Sequence, residues 1–239
     1  MTRQTFTVAL IGADGSGKTT VAKKLVEIFP APMKYLYMGP NIESSNYKLP
    51  TSRLVLALKL RTYKKKAERL GIDDPSFVST YHQEHRRDKR GGLGAMVRLL
   101  NRLAEEWYRQ IISWRLQRRG YIVVYDRHFL FDVAPRAIDN QVQKQRWSDF
   151  LHYWILSHLY PKPDLVIFLD AAPEKLLERK QETSLDYLRG RRGAFLVQGQ
   201  KTNHFVRIDA MQPLDQVLAQ VTEYVLCFDA GNMPVKSHS

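Results

Sequence analysis

The residues best equipped for chemistry stand together near the start of the chain, in the run Gly12-Ala13-Asp14-Gly15-Ser16-Gly17-Lys18-Thr19-Thr20. Before it comes a strand-like stretch, Phe6 to Ile11, and after it a helical pattern that puts Val21, Leu25, Val26, Ile28 and Phe29 on one side. A strand, a Gly-rich turn and a helix whose first amides have no intrahelical partner form a cradle for oxyanions. The glycines let the backbone come close to the anion, Lys18 reaches toward the β and γ phosphates of a nucleotide, and the Thr19 hydroxyl is a ligand suited to Mg²⁺. The stretch therefore predicts a nucleotide site.

Further along, three strand-like runs end in carboxylates: Asp126, Asp170 and Asp209. In a parallel sheet ligands gather at the carboxyl ends of the strands, which makes these positions informative. Asp126 closes the strand expected beside the Gly-rich loop, and it is the candidate to hold Mg²⁺ directly or through water. Arg127, next to it, can fork onto a phosphate of an acceptor. A structural ion pair at a strand end is the alternative reading for both residues. Asp170 and Asp209 read as caps of the turns that follow them. His82 and His85 are three residues apart, but no third ligand stands near them, so a metal site there is not expected. The single cysteine, Cys227, excludes an intramolecular disulfide and falls in a packed helix.

These groups need a scaffold, and 239 residues suffice for one α/β domain with a sizeable core. The first helix should stop at Phe29, because Pro30 and Pro32 cannot continue it. A short strand fits Lys34 to Tyr37, a polar loop Asn41 to Ser52, and a weaker helical pattern runs through Leu56, Leu60, Tyr63, Ala67 and Leu70. Asp73 to Gly94 is charged and Gly-rich, as a loop would be. Leu93, Met96, Val97, Leu100, Leu103, Trp107, Ile111 and Trp114 then trace the apolar stripe of a long helix ending at Gly120. Tyr121 to Tyr125 reads as a buried strand, and Trp147 to Tyr160 as a helix with Leu151, Trp154, Ile155, His158 and Leu159 inward. Leu165 to Leu169 and Phe205 to Ile208 are further strands, Leu214 to Phe228 is a closing helix, and Gly231 to Ser239 is a frayed tail. Strands alternating with helices predict a parallel sheet with helices on both faces.

The formal net charge of +13 calls for a partner of opposite sign. Phosphate qualifies, and so do nucleic acid and an anionic membrane surface. The basic residues bunch at Lys59 to Arg69, at Arg86, Arg87, Lys89 and Arg90, and at Arg189, Arg191 and Arg192. No apolar run approaches the roughly 20 residues that span a bilayer, and Met1-Thr2-Arg3-Gln4 leads into a strand without an export signal, so a cytoplasmic location is expected.

Taken in order, the motifs resemble the thymidylate kinase family of nucleoside-monophosphate kinases. The resemblance rests on the Gly12 to Thr20 loop with Asp14 inside it, on Tyr125-Asp126-Arg127-His128, on Pro163-Asp164-Leu165-Val166-Ile167-Phe168-Leu169-Asp170 with Pro173 to Lys180 behind it, and on Ile208-Asp209-Ala210 before the last helix. It covers most of the chain outside residues 41 to 92. It implies a P-loop NTPase three-layer sandwich with a five-stranded sheet ordered 2-3-1-4-5, and ATP with Mg²⁺ on the Gly-rich loop. It also implies one domain over 1–230, carrying a basic helical insertion at about 41–92 and a lid at about 180–200. Asp14 maps to a contact with the acceptor's sugar and Arg127 to the grip on its phosphate. The loop has Gly15 and Ser16 where some members carry an Arg, and such members' relatives take the transition-state Arg from the lid, which makes Arg189, Arg191 and Arg192 the candidates. Arg179 maps against the adenine and Ala210 beside the nucleotide.

The sequence departs from the family where the acceptor is read. Tyr37-Met38-Gly39-Pro40 stands for the usual Arg-Glu-Pro-Gly, and Leu-Ala-Glu-Glu-Trp-Tyr at Leu103 to Tyr108 replaces the residues that read thymine. The expected acceptor is an anionic small molecule, a nucleoside monophosphate first. A sugar, glycan or lipid, nucleic acid ends, and a non-catalytic ATP-binding regulator stay open, as does assembly into a homodimer.

Overall fold

The computed structural model describes residues 4–41, 44–54, 57–58, 61–62, 93–132, 147–179 and 184–233. Five strands form one parallel sheet: β1 (Thr7–Ile11), β2 (Met33–Tyr37), β3 (Ile122–Asp126), β4 (Leu165–Asp170) and β5 (Phe205–Asp209). The order is β2-β3-β1-β4-β5, so β1 lies at the centre between β3 and β4. The helices are α1 (Lys18–Ile28), α2 (Leu93–Arg118), α3 (Trp147–His158), α4 (Pro173–Arg179), α5 (Leu185–Gln200) and α6 (Leu214–Asp229). The chain divides into two compact units, Met1–Asn46 with Arg109–Ser239, and Tyr47–Tyr108. The first holds the sheet.

Every residue of β1, β3 and β4 is buried. That is why these strands are continuous apolar runs rather than alternating ones: both faces of a parallel sheet are covered. On one face Val8, Leu10, Val124, Ile167 and Ile208 pack with Val21, Ala22 and Leu25 of α1 and with Val217, Val221 and Val225 of α6. On the other, Phe168 meets Phe195 of α5, with ring centroids 5.4 Å apart, and the Tyr125 hydroxyl hydrogen-bonds the Ser113 hydroxyl of α2 at 2.6 Å. The three layers and the strand order are those expected, and α1 stops where Pro30 requires, with Phe29 as its cap.

Two helices turn a different side inward from the one their apolar residues suggest. In α2, Val97, Leu100, Ile111 and Trp114 of the stripe are exposed, while Glu105, Glu106, Arg109, Gln110 and Ser113 are buried. Polar partners fix this choice: Arg109 donates to the Gly39 carbonyl at 2.7 Å, and Ser113 holds the buried Tyr125, whose phenol burial pushes up to about 12. In α3 the buried residues are His152 and Leu156, followed by Tyr160, whereas Trp154 and Leu159, expected inward, are exposed. Trp154 stacks instead on His158, 5.1 Å away.

Residues 50–54, 57–58 and 61–62 are helical, so the polar loop expected to run to Ser52 stops before residue 50. The expected helical pattern of Leu56, Leu60, Tyr63, Ala67 and Leu70, the expected charged loop from Asp73 to Gly92, His82, His85 and the tail beyond residue 233 lie outside the described residues. Among the described residues no helix is long and apolar enough to cross a membrane.

One buried group makes stability depend on pH. His128 packs among Tyr125, Phe131 and Tyr160, and burial pushes its imidazole down to about 3. The folded protein keeps His128 neutral, while the unfolded chain takes up its proton near pH 6.5. Stability should therefore fall by about 1.4 kcal/mol for each pH unit below 6.5, before carboxylates begin to titrate. Urea unfolding at pH 7.5, 6.0 and 5.0 measures this slope, which His128→Leu should flatten. An unchanged slope in that variant would remove His128 from the account.

Candidate active site

The Gly-rich loop runs from the end of β1 into α1. Gly12 has φ +152°, and a Cβ there would sit 2.6 Å from the Leu169 carbonyl oxygen and 2.8 Å from Ser16 Oγ. Only glycine lets β4 and the loop lie this close. Gly17 caps α1 at φ 84°, so the helix begins at Lys18, with Thr19 and the exposed Thr20 in its first turn. Lys18 is buried, and its Nζ donates to the Ala13 carbonyl at 2.5 Å while standing 4.0 Å from the Asp14 carboxylate. Burial, with help from the Arg127 charge, lowers its ammonium to about 8, and Asp14 holds it from falling further. At neutral pH Lys18 remains a cation aimed into the loop.

At the end of β3, Asp126 is fully buried. Its Oδ2 accepts from the Thr19 hydroxyl at 2.6 Å and from the Tyr35 hydroxyl at 2.9 Å. Its Oδ1 is buried without a hydrogen-bond partner among the described residues. Beside this carboxylate, burial and the Asp126 charge push the Tyr35 phenol up, so it stays a donor.

Arg127 adopts φ 70°, unusual for a side chain with a Cβ, and its N–H continues the β1 ladder by donating to the Leu10 carbonyl at 3.0 Å. The kink turns its guanidinium toward the loop, where it is hydrogen-bonded to the Asp14 carboxylate and lies 3.9 Å from Asp132. Burial pulls its pKa down, and Asp132 and Asp14 more than offset this, so the net shift is upward. Asp14 moves the other way: burial raises its carboxyl, but the Arg127 charge and hydrogen bond leave it lowered. Gly39 supplies the room, since a Cβ there would fall 2.5 Å from Arg127 Cδ and 2.5 Å from the Tyr37 hydroxyl.

A cavity of about 510 Å³ lies over these groups. Of the residues singled out in the sequence, Asp14, Thr19, Asp126, Arg127 and Arg191 line it. Tyr35 and Asp132 join them, and sequence reasoning passed over both. The three arginines of the last basic cluster part company here. Arg191 is buried, with its guanidinium over the Phe195 ring and 2.7 Å from Asp132 Oδ1. Arg189 instead pairs with Glu174 at 2.8 Å on the surface, and Arg192 forks onto Asp170 at 2.7 and 2.9 Å.

Asp170 corrects the turn-cap reading, because its carboxylate takes both Arg192 and Arg207, and their hydrogen bonds outweigh the effect of burial and hold its carboxyl low. Asp209 does cap its turn, accepting from the Met211 N–H at 2.9 Å. Ala210 donates its N–H to the Asp170 carbonyl at 2.7 Å, and the side chain of Arg179 lies outside the described residues. Of the stretch expected as a lid, residues 184–200 are described and form α5, capped by Ser184, which accepts from the Tyr187 N–H. Among the described residues no group of three His, Cys, Asp or Glu side chains is placed to hold a metal by itself.

No protein-family model matches the chain. It is 26% identical over 232 residues to a probable thymidylate kinase of Archaeoglobus fulgidus, covering 92% of this chain and 95% of that one. A probable thymidylate kinase of Sulfurisphaera tokodaii is 22% identical over 229 residues, with the same coverage. Among solved structures, the thymidylate kinase of Candida albicans superposes with a TM-score of 0.60 at 18% identity, over 99% of this chain and 96% of that one. The resemblance read from the motifs thus extends along nearly the whole chain, and the fold is that of the P-loop NTPases.

Proposed function

We propose that the chain is an ATP-dependent phosphotransferase of the thymidylate kinase type, which moves the γ-phosphate of ATP to a nucleoside monophosphate. The observation that carries this reading is the convergence, on one cavity, of the edge of the Gly-rich loop, through Asp14 and Thr19, with a separate pair of guanidinia, Arg127 and Arg191. A protein that only bound ATP would need Lys18 and the loop amides. It would have no use for Arg127 held at φ 70° and aimed across the same cavity beside Arg191.

The placement supports the following roles. The loop amides and Lys18 bind the β and γ phosphates, and Lys18 neutralises the charge that grows on the bridging oxygen. Arg127 grips the acceptor phosphate with its planar fork, and Asp14 beside it is placed to accept from a sugar hydroxyl. Arg191 adds the second guanidinium, directed at the equatorial oxygens of the group in transit. For Mg²⁺ the residues fit: the bare, buried Asp126 Oδ1 and the Thr19 hydroxyl offer hard oxygen ligands side by side. Bound there, the ion would supply positive charge against the negative charge of the transferring phosphates.

A coupled assay of ADP release, run over nucleoside monophosphates, nucleosides and phosphosugars, tests the reading. Turnover that needs a nucleoside monophosphate is expected. ATP hydrolysis indifferent to every acceptor would overturn it. Within the same assay, Arg127→Lys should raise the acceptor's KM about tenfold or more while ATP's KM moves less, because a point charge replaces a bidentate fork. Equal effects on the two substrates would remove Arg127 from the acceptor site.

A further inference from the structure

Asp132 has no assigned part in phosphate transfer, yet it is the hub of the cavity's charges. It lies in the helical turn that follows Arg127, its own N–H donating to the His128 carbonyl at 3.1 Å, and it is buried. Its Oδ1 takes the Arg191 guanidinium at 2.7 Å and lies 3.9 Å from that of Arg127. A single carboxylate oxygen thus stands between two guanidinia that would otherwise repel each other across the cavity wall. Arg191 belongs to α5 and Arg127 to the end of β3, so Asp132 is also the contact by which α5 reaches the acceptor side of the site. The other charged anchors of α5 lie elsewhere, Arg189 and Arg192 tying it to Glu174 and Asp170, while Phe195 and Leu188 pack it into the core.

We infer that Asp132 is a positioning residue that latches α5 over the cavity through Arg191 and sets Arg191 and Arg127 side by side as one anion grip. The inference rests on the proposed phosphotransfer for its use, but not for its geometry. The physical argument is one of desolvation. Arg191 and Asp132 are both buried, and a buried charge without its partner is costly, so each holds the other in place. An exposed pair such as Arg189 with Glu174 is too well solvated to fix a helix. Neutralising Asp132 should release Arg191 toward water and loosen the turn of α5 that carries it, while α6 and the sheet keep their packing.

Amide hydrogen exchange on the protein without added nucleotide reads this directly. Asp132→Asn should speed exchange in Leu185–Gln200 about tenfold or more, leaving Leu214–Asp229 as it was. Arg191→Met should produce the same local change, and the double variant no more than either single one, because one contact is broken in all three. Single-turnover transfer, measured beside it, should fall about a hundredfold in Asp132→Asn, and the double variant should lose no more than Arg191→Met alone. Native exchange in α5 of Asp132→Asn, or effects that simply add in the double variant, would overturn the latch. The two readings fail separately. A wild-type protein that transfers phosphate to no acceptor sinks the proposed function, and the exchange data still decide the role of Asp132. If Asp132→Asn melts globally, Asp132→Glu decides instead: a latch tolerates the longer carboxylate at the cost of a partial rise in α5 exchange alone, and a rise spread over the whole sheet would overturn it.

Discussion

Lys18→Ala is expected to cut phosphoryl transfer by about 10³-fold or more, the largest loss from any single substitution in this protein. The two guanidinia described nearby are already engaged, Arg127 by Asp14 and Arg191 by Asp132, and neither stands in for an ammonium on the loop. Folding should survive, since the Lys18 ammonium makes its closest bond to one loop carbonyl, and removing a buried charge also removes the cost of desolvating it. Thermal melting and single-turnover ADP release, made on the same sample, separate the two effects. The lowered pKa adds a test without mutation. As pH rises through about 8 the free protein loses the Lys18 proton, so kcat/KM for ATP should fall about tenfold per pH unit above that point. A variant with native turnover, or a profile flat to pH 9.5, would refute the assignment of Lys18 to the phosphates.

Much of this site could be read in the sequence, and what could not has a common cause. The Gly12–Thr19 loop is legible because its constraint is local: glycine at a close approach, a helix start, a lysine and a hydroxyl at fixed offsets. The sheet is legible because strands buried on both faces must be apolar throughout, as β1, β3 and β4 are. Tyr35 and Asp132 escaped notice because their roles arise only when distant segments meet. Tyr35 lies 91 residues from Asp126, and Asp132 lies 59 from Arg191. The one sequence signal for Asp132 is a lone carboxylate closing the apolar run Phe129-Leu130-Phe131, and a carboxylate there needs a cationic partner once buried. For α2 and α3 apolar periodicity misled, since burial followed the hydrogen-bond partners of Arg109 and Ser113 and the ring packing around His128. The exposed stripe of Val97 and Leu100 has no physical account in the described residues.

Arg189, Arg191 and Arg192 look alike in the sequence, but one helical turn sends them to three different places, and this sets the last expectation. Successive residues on a helix diverge by about 100°, so neighbours cannot share a partner. Arg191 alone of the three lines the cavity, whereas Arg189 meets Glu174 in solvent and Arg192 meets Asp170 at the carboxyl end of β4. An Arg that meets the equatorial oxygens stabilises mainly the transition state, so losing its fork lowers turnover and leaves ground-state affinity nearly intact. Arg191→Lys should therefore reduce single-turnover transfer by about 10²- to 10³-fold with ATP affinity changed less than about threefold. Lysine is the right replacement, because alanine would leave the buried Asp132 with only the more distant Arg127 charge and mix a stability loss into the result. Arg189→Ala and Arg192→Ala, whose pairs are partly or wholly solvated, should each cost less than about tenfold. The outcome that sinks this ranking is a native rate in Arg191→Lys, or a greater loss in Arg189→Ala than in Arg191→Lys. Either result would mean that α5 brings a different arginine to the phosphate, and that the contact between Arg191 and Asp132 serves the fold alone.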